Sequence, residues 1–299
     1  LRIRFFLLGL VLFWLLLDRE FLLLAPAVRR IQQAAASDLE ARYVDRSRAP
    51  ELGAYLRRRR PEWVTLGPWL AARLGEELRA QSGDLPFGAR YNWAVAELSP
   101  VDNATAPPPN AKELAEDAAD GWGTGPVTVA DGTATVAIRR FGWEEPAAGA
   151  VEGVFRQVAG ARALVLDLRE CQGGVAGTAL LWASYLFPRQ VHWATLQYRG
   201  FTEEYWTLPR VAGPRFGGPV TVLVGPRTMA ACEGFAYHLQ ARRRAAVLGE
   251  RTAGAAHYAV RRQVTDHIAI ELPEARATDP ETGTNWQGGG VAPDGGGLP

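Results

Sequence analysis

An α/β fold is predicted by three observations in the sequence. The run Ala163–Leu168 is apolar on both alternating faces except at Asp167, as in a strand buried on both sides of a parallel sheet. A charged turn and a glycine pair, Gly173–Gly174, then lead into Val175–Leu186, apolar enough for a buried helix. The pattern repeats: Pro219–Val224 reads as a second buried strand, followed by a turn and a helix from about Ala230 to Ala241. Alternation of this length indicates right-handed crossovers. In such sheets the carboxyl ends of the strands carry the sites, because the following helices present free backbone N–H groups there.

Taken in order, residues 1–27 read as a targeting segment. Arg2 and Arg4 precede the apolar run Phe5–Leu17, whose 13 residues suit a signal h-region and fall short of the roughly 20 needed to span a bilayer. Ala25-Pro26-Ala27 offers small residues at a cleavage position, while Asp18, Arg19 and Glu20 are atypical there. An uncleaved anchor, giving membrane attachment through residues 1–24, is the rival, and a buried amphipathic helix the third reading. The first two place the protein outside the cytoplasm, exported or anchored.

Residues 28–98 read as a small helical domain with a first extended segment. Ile31, Ala34, Leu39 and Tyr43 form an irregular helical stripe; Asp45–Pro50 breaks it, Leu52–Arg59 resumes it, and Leu66–Leu78 is a further periodic helix. The run Arg57–Arg60 reads as a solvated helix end. Gly83-Asp84 stops the helices, and Phe87–Ala96 turns extended. Three consecutive prolines in Val101–Lys112 mark a linker, placed at residues 99–126. The α/β domain then spans 127–299. Val127–Val129 and Thr133–Ile138 flank Asp131-Gly132, a hairpin signal. Ala147–Val158 reads as a helix, Ala246–Leu248 as a third strand and His267–Leu272 as an outer strand, before a Gly/Pro-rich tail from Pro280.

The net charge of +1 leaves no electrostatic case for a nucleic-acid partner. Neither cysteine, Cys171 or Cys232, lies in a ligand-spaced cluster with histidine, so no metal site is expected, and no cofactor. The two cysteines pair if the protein is exported, or serve as small core residues; the second is favoured, since large domains rarely need the bridge. Lys112 is the only lysine, the single candidate for any lysine-based mechanism.

Four segments together resemble the tail-specific, or C-terminal-processing, serine peptidases. They are D-L-R-E-C-Q-G-G from Asp167, T-M-A-A-C-E-G-F-A-Y-H-L-Q from Thr228, G-E-R-T-A-G-A-A-H-Y from Gly249, and the ending T-G-T-N-W-Q-G-G-G-V-A-P-D. The ending is similar to the interphotoreceptor retinoid-binding-protein-like branch, and no PDZ-sized insertion is present. The resemblance runs from about Leu39 to Asp294. It implies a crotonase/ClpP-like spiral of ββα units behind a helical N-terminal domain, amide hydrolysis by a serine at a helix N-terminus, and a peptide or protein C-terminus as partner.

Carried over residue by residue, the resemblance removes its own chemistry. The nucleophile position falls on Ala230, the histidine of this branch on Pro86, and the orienting glutamate on Gln287. The lysine of the other branch falls on Ala255, 25 residues after Ala230 as those motifs dictate. No serine follows Ser184. Thr228 stands two residues before the right place, and Cys232 two residues after, about 200° round the helix. His257 is placed to edge the cleft; His192, His238 and His267 read as structural, and Glu233 as a support of its own helix. The binding apparatus needs no side chain: the backbone N–H groups of Gly173, Gly174 and Ala231 form a candidate cradle for a carbonyl or carboxylate, with Asp167 and Arg169 paired to hold the strand end. The expectation is an inactive pseudo-peptidase that binds peptides. An active serine-type peptidase with a displaced nucleophile, or with its triad replaced, and a carrier for apolar ligands are the alternatives.

Overall fold

The computed structural model describes residues 9, 12–14, 16, 17, 19–93 and 111–295. The expected targeting run lies largely outside the described residues, as do residues 99–110 of the expected linker. Among the described residues no helix is long and apolar enough to cross a membrane. The chain forms two compact units, Leu1–Ala106 with Ala259–Ala275, and Pro107–Tyr258 with Arg276–Pro299. The segment 259–275, grouped by the sequence with the α/β domain, thus belongs to the first unit.

In the first unit β1 (Leu22–Leu24) pairs antiparallel with β2 (Val64–Leu66). Three helices follow the periodicity: α1 (Ala25–Arg42), α2 (Ala49–Arg58) and α3 (Gly67–Ser82). Each opens with a proline in its first turn, where the missing N–H costs no helical bond. On α1, Val28, Ile31, Ala35 and Leu39 are buried at spacings of three and four residues, and Leu52 and Leu56 of α2 join Leu39 in one core cluster. Gly83, at φ 70°, ends α3 in the left-handed conformation that favours glycine. Pro86 sits half-buried in the turn that follows, ahead of β3 (Gly88–Tyr91).

The chain returns to this unit through β11 (His257–Gln263) and β12 (Ile268–Thr278). The sequence reads His267–Leu272 as an outer strand. Instead β12 lies between β11 and β3, pairing antiparallel with β3 from Ile268↔Tyr91 to Glu271↔Gly88. Ile268, Ala269 and Ile270 are all buried, so the residues are covered on both faces.

The second unit holds a five-stranded sheet in the order β10-β9-β6-β5-β4: β4 (Thr128–Ala130), β5 (Thr133–Ala137), β6 (Ala163–Asp167), β9 (Val220–Val224) and β10 (Ala246–Gly249). β5, β6, β9 and β10 are parallel, and β4 joins antiparallel through Asp131 (φ 50°) and Gly132 (φ 75°), whose paired positive φ values match the twist of a two-residue hairpin. Leu164, Leu166, Val222 and Val247 are fully buried. Within the expected linker, Ala111–Ala119 forms α4; the crossovers of the sheet are α5 (Glu144–Val158), α6 (Ala176–Ser184) and α7 (Ala231–Ala241). Phe155 of α5 stacks on Tyr185 at 4.4 Å and meets Trp182 edge-on at 5.4 Å. The hairpin of β7 (His192–Gln197) and β8 (Thr202–Trp206) is not evident in the sequence: a register shift between His192 and Ala194 breaks the alternation of β7, and β8 is mostly polar.

A buried ionic cluster holds the end of β12 against α7. Asp279 Oδ2 accepts hydrogen bonds from Arg242 and, at 2.7 Å, from the His238 ring, and its Oδ1 accepts from the Glu281 and Thr282 N–H groups. Burial alone would raise the Asp279 pKa, but the His238 and Arg242 hydrogen bonds outweigh it and hold the carboxyl at about 2. Because this pKa lies below the unfolded value of 3.8, the cluster's contribution is present above pH 3.8 and lost as pH falls through about 2. Burial, opposed by Asp279, lowers the His238 pKa, which adds to the loss in acid. Urea titrations against pH should show a stability decline of about 2 kcal/mol in the acid limb. In Asp279→Asn that part of the decline should disappear; an unchanged acid limb would exclude the cluster as its source.

Candidate functional site

The site forms in the second unit where β6 and β9 end side by side. Their parallel register, Leu164↔Val220 to Asp167↔Leu223, puts the turns that follow them next to each other. Asp167 anchors the first turn: its carboxylate accepts the Arg169 N–H at 3.1 Å and both Nε and Nη2 of the Arg169 guanidinium at 2.9 and 2.6 Å. That guanidinium, hydrogen-bonded to it, holds the Asp167 pKa below the ordinary carboxylate range.

Both glycines of the turn are required. Gly173 and Gly174 have φ values of 101° and 116°, and a Cβ on Gly174 would come within 2.1 Å of the Phe141 carbonyl oxygen. A Cβ on Gly173 would stand 3.3 Å from the Ala230 methyl and 4.0 Å from the Ala231 nitrogen. The turn therefore lies directly against the start of α7, held there by the Met229 N–H donating to the Cys171 carbonyl at 3.0 Å.

Ala230 is the most unusual residue of the site. Its φ of 52° and ψ of −121° lie in a region that side-chain-bearing residues rarely adopt, at the corner between the post-β9 turn and α7. Such a strained corner lifts one side chain out over a helix N-terminus, as in the elbow that presents a nucleophile in hydrolases. Here it presents a methyl group. Ala230→Gly should stabilise the protein by about 1 kcal/mol, because relief of the strain exceeds the extra freedom of glycine in the unfolded chain. Urea unfolding checks this; a destabilised variant would show the corner to be unstrained.

Glu233 holds the corner from below. Fully buried, it accepts four hydrogen bonds: from the Ala230 N–H (2.9 Å), the Thr252 hydroxyl (2.5 Å), the Gly254 N–H (2.6 Å) and the Ala255 N–H (2.8 Å). It supports its own helix, as the sequence suggests, and it also braces the 252–255 loop. Ala255 is buried at 2% exposure with its N–H consumed in this brace. Gln287 acts similarly: its side-chain oxygen accepts the Ala256 and His257 N–H groups at 2.8 and 3.0 Å. Pro86 belongs to the first unit.

The cysteines correct the expectation of two separate core thiols. Cys171 and Cys232 form a disulfide, linking the glycine turn to the first turn of α7 across 61 residues of sequence. The Cys232 sulfur also accepts the Gly173 N–H at 3.0 Å. Gly173 is thereby removed from the expected cradle, since its donor is already engaged. Thr228, fully buried, donates its hydroxyl to the Leu168 carbonyl (2.7 Å) and accepts the Gly225 N–H (3.0 Å), so it is bound within the turn. Two donors remain. The N–H groups of exposed Gly174 and half-buried Ala231 meet no acceptor among the described residues, and the latter opens α7, where unpaired donors and the helix dipole favour negative charge. The residue that sequence reasoning missed is Asp279, whose links to His238 and Arg242 span 41 and 37 residues with no local pattern. Among the described residues no His/Cys/Asp/Glu group is arranged to hold a metal ion.

The parallel strands β6 and β9 thus end in a glycine turn set against a strained helix-opening corner that alanine occupies. Residues 132–295 match the family model for peptidase family S41, and the chain belongs to that family. Among solved structures, it is similar to a lipoprotein from Streptococcus agalactiae at 12% identity and a TM-score of 0.63, covering 91% of this chain and 92% of that one. It is also similar to a putative peptidase from Parabacteroides merdae ATCC 43184 at 18% identity and a TM-score of 0.56, covering 89% of each. The match to a photosystem II D1 C-terminal processing protease has 22% identity and a TM-score of 0.48; it covers 57% of this chain and 47% of that one, about half its length. The mixed α/β fold expected from the sequence is the fold shared with the lipoprotein and the Parabacteroides merdae structure.

Proposed function

We propose that this protein is a catalytically inactive member of its peptidase family that binds peptide segments or protein C-termini outside the cytoplasm. The observation that carries the reading is the strained corner at Ala230: the backbone that would aim a nucleophile is in place, and the side chain is a methyl. The general base and orienting carboxylate of the resemblance fall on Pro86 and Gln287, neither of which transfers protons. The runner-up, a displaced nucleophile, has little to draw on, since Thr228 is held by two hydrogen bonds and both cysteines are oxidised. The Gly174 and Ala231 donors fit a carboxylate or a peptide carbonyl. A disulfide favours an oxidising compartment, in keeping with export.

Calorimetric titration with paired peptides, one ending in a free carboxylate and the other amidated, tests the reading. Amidation should weaken binding about tenfold or more, the worth of a charge-assisted hydrogen bond. Mass spectrometry of the mixture should find no cleavage, and a fluorophosphonate probe should leave the protein unlabelled. Equal affinity for the two peptides would reject the carboxylate cradle; turnover or stoichiometric labelling would reject inactivity. Quenching of tryptophan fluorescence by fatty acid but not by peptide would favour the apolar-ligand carrier instead.

A further inference from the structure

Tryptophan is a residue that folding normally buries in large part, yet the first unit exposes three in a small region. Trp63 is 90% exposed, Trp69 68% and Trp93 71%. They are brought together by backbone and ring contacts. The Ala25 N–H donates to the Trp63 carbonyl, and Leu24 lies opposite Val64 in the β1–β2 pair, both exposed. The Gly67 N–H donates to the Phe21 carbonyl, which sets the first turn of α3, with Trp69, beside the same strand. The Phe21 ring meets Trp93 at 5.5 Å, Trp93 meets Tyr91 at 5.2 Å, and the Tyr91 hydroxyl donates to the Arg19 carbonyl. Every one of these contacts surrounds residues 19–25, where the chain leaves the apolar run Phe5–Leu17.

Exposed arginines flank these rings. Glu62 is paired with Arg73, and Glu20 accepts hydrogen bonds from the neutral Thr265 hydroxyl and His267 N–H. Arg57 and Arg59 are paired with Glu40 and Glu77. Arg58 and Arg60, just before Trp63, and Arg29 and Arg30, just after Leu24, are exposed. Exposed indole rings beside arginines, at the foot of an apolar segment, match the chemistry of a headgroup layer: indole combines an apolar body with an N–H donor, and guanidinium pairs with phosphate.

We infer that this face, formed by Trp63, Trp69, Trp93, Leu24 and Val64 and flanked by the four arginines, lies on an anionic phospholipid bilayer. The occupant is a membrane rather than a second copy of the chain because the patch follows the apolar run Phe5–Leu17 closely in sequence, and a dimer would set its four exposed arginines against their own copies. Residues 5–17 then act as one of two attachments, and the tryptophan face as the other. The inference does not depend on the peptide-binding reading.

The test uses the full chain with vesicles of phosphatidylcholine, with and without phosphatidylglycerol, and a phosphatidylcholine brominated near the headgroup end of its acyl chains as a contact quencher of indole fluorescence. The reference is the triple variant Trp63→Phe, Trp69→Phe, Trp93→Phe, which keeps the apolar surface and the fold but removes the three reporters. Quenching of the natural protein should exceed that of the variant at least about twofold, since only Trp14 of the exposed tryptophans near the apolar run remains. The excess should grow with phosphatidylglycerol and shrink in Arg58→Gln, Arg60→Gln. Equal quenching in the natural protein and the triple variant would overturn the inference, leaving residues 5–17 as sole attachment. Concentration-dependent self-association that the arginine-preserving variant Trp63→Ser, Trp69→Ser, Trp93→Ser abolishes, without lipid quenching in the natural protein, would overturn it in favour of a dimer face.

Discussion

Glu233→Gln is expected to destabilise the protein by about 3–5 kcal/mol, a large part of the roughly 5–15 kcal/mol that holds a domain folded. All four partners of the carboxylate are donors: the N–H groups of Ala230, Gly254 and Ala255, and the Thr252 hydroxyl, which itself accepts the Val291 N–H at 2.7 Å and so turns its proton to Glu233. Glutamine has nearly the same shape, so no cavity opens. Its amide nitrogen, however, must face two donors that then have no acceptor, each left buried at about 1–3 kcal/mol. The urea midpoint measures the loss. A change of less than about 1 kcal/mol would mean that water or a rotated backbone replaces the lost acceptor, and that the corner at Ala230 does not depend on Glu233.

Removing the disulfide should cost about 4 kcal/mol, the loop-closure entropy of a cross-link over 61 residues. The double variant Cys171→Ala, Cys232→Ala and the natural protein under a strong reductant should shift together. The Gly173 N–H loses its sulfur acceptor in the variant but retains a thiol in the reduced natural protein, so the variant should be the less stable of the two. Both the disulfide and Glu233 brace the opening of α7. Their removals should therefore be non-additive, with a coupling of about 1 kcal/mol or more in a double-mutant cycle. Reduction that leaves the urea midpoint unchanged would show that the sheet alone holds the two turns in register.

The parallel strands and crossover helices of the second unit were legible because each carries its period within a few residues. Leu164, Leu166 and Leu168 alternate along one strand, Val151, Phe155 and Val158 line one helical face, and Asp131-Gly132 has the turn chemistry that its positive φ values demand. The strand at Ile268–Thr278 shows the limit of that reading. Its apolar residues identified a strand, but whether an edge or an interior one depended on β3, some 180 residues earlier in the chain. The β7–β8 hairpin was hidden by a register shift and by the polar composition of β8.

The sequence alone determined which residues stand at the four motif positions of the resemblance, Pro86, Ala230, Ala255 and Gln287, and the proposed inactivity rests on them. What the tertiary structure decided is how the remaining groups are used. Parallel pairing of β6 with β9 brings Cys171 to Cys232 and turns two expected thiols into a bridge. The same bridge takes the Gly173 donor out of the cradle, and burial makes Glu233 the acceptor for donors from two segments. Such contacts join residues tens of positions apart through the register of neighbouring strands, and that register is set by burial of whole faces rather than by any local pattern.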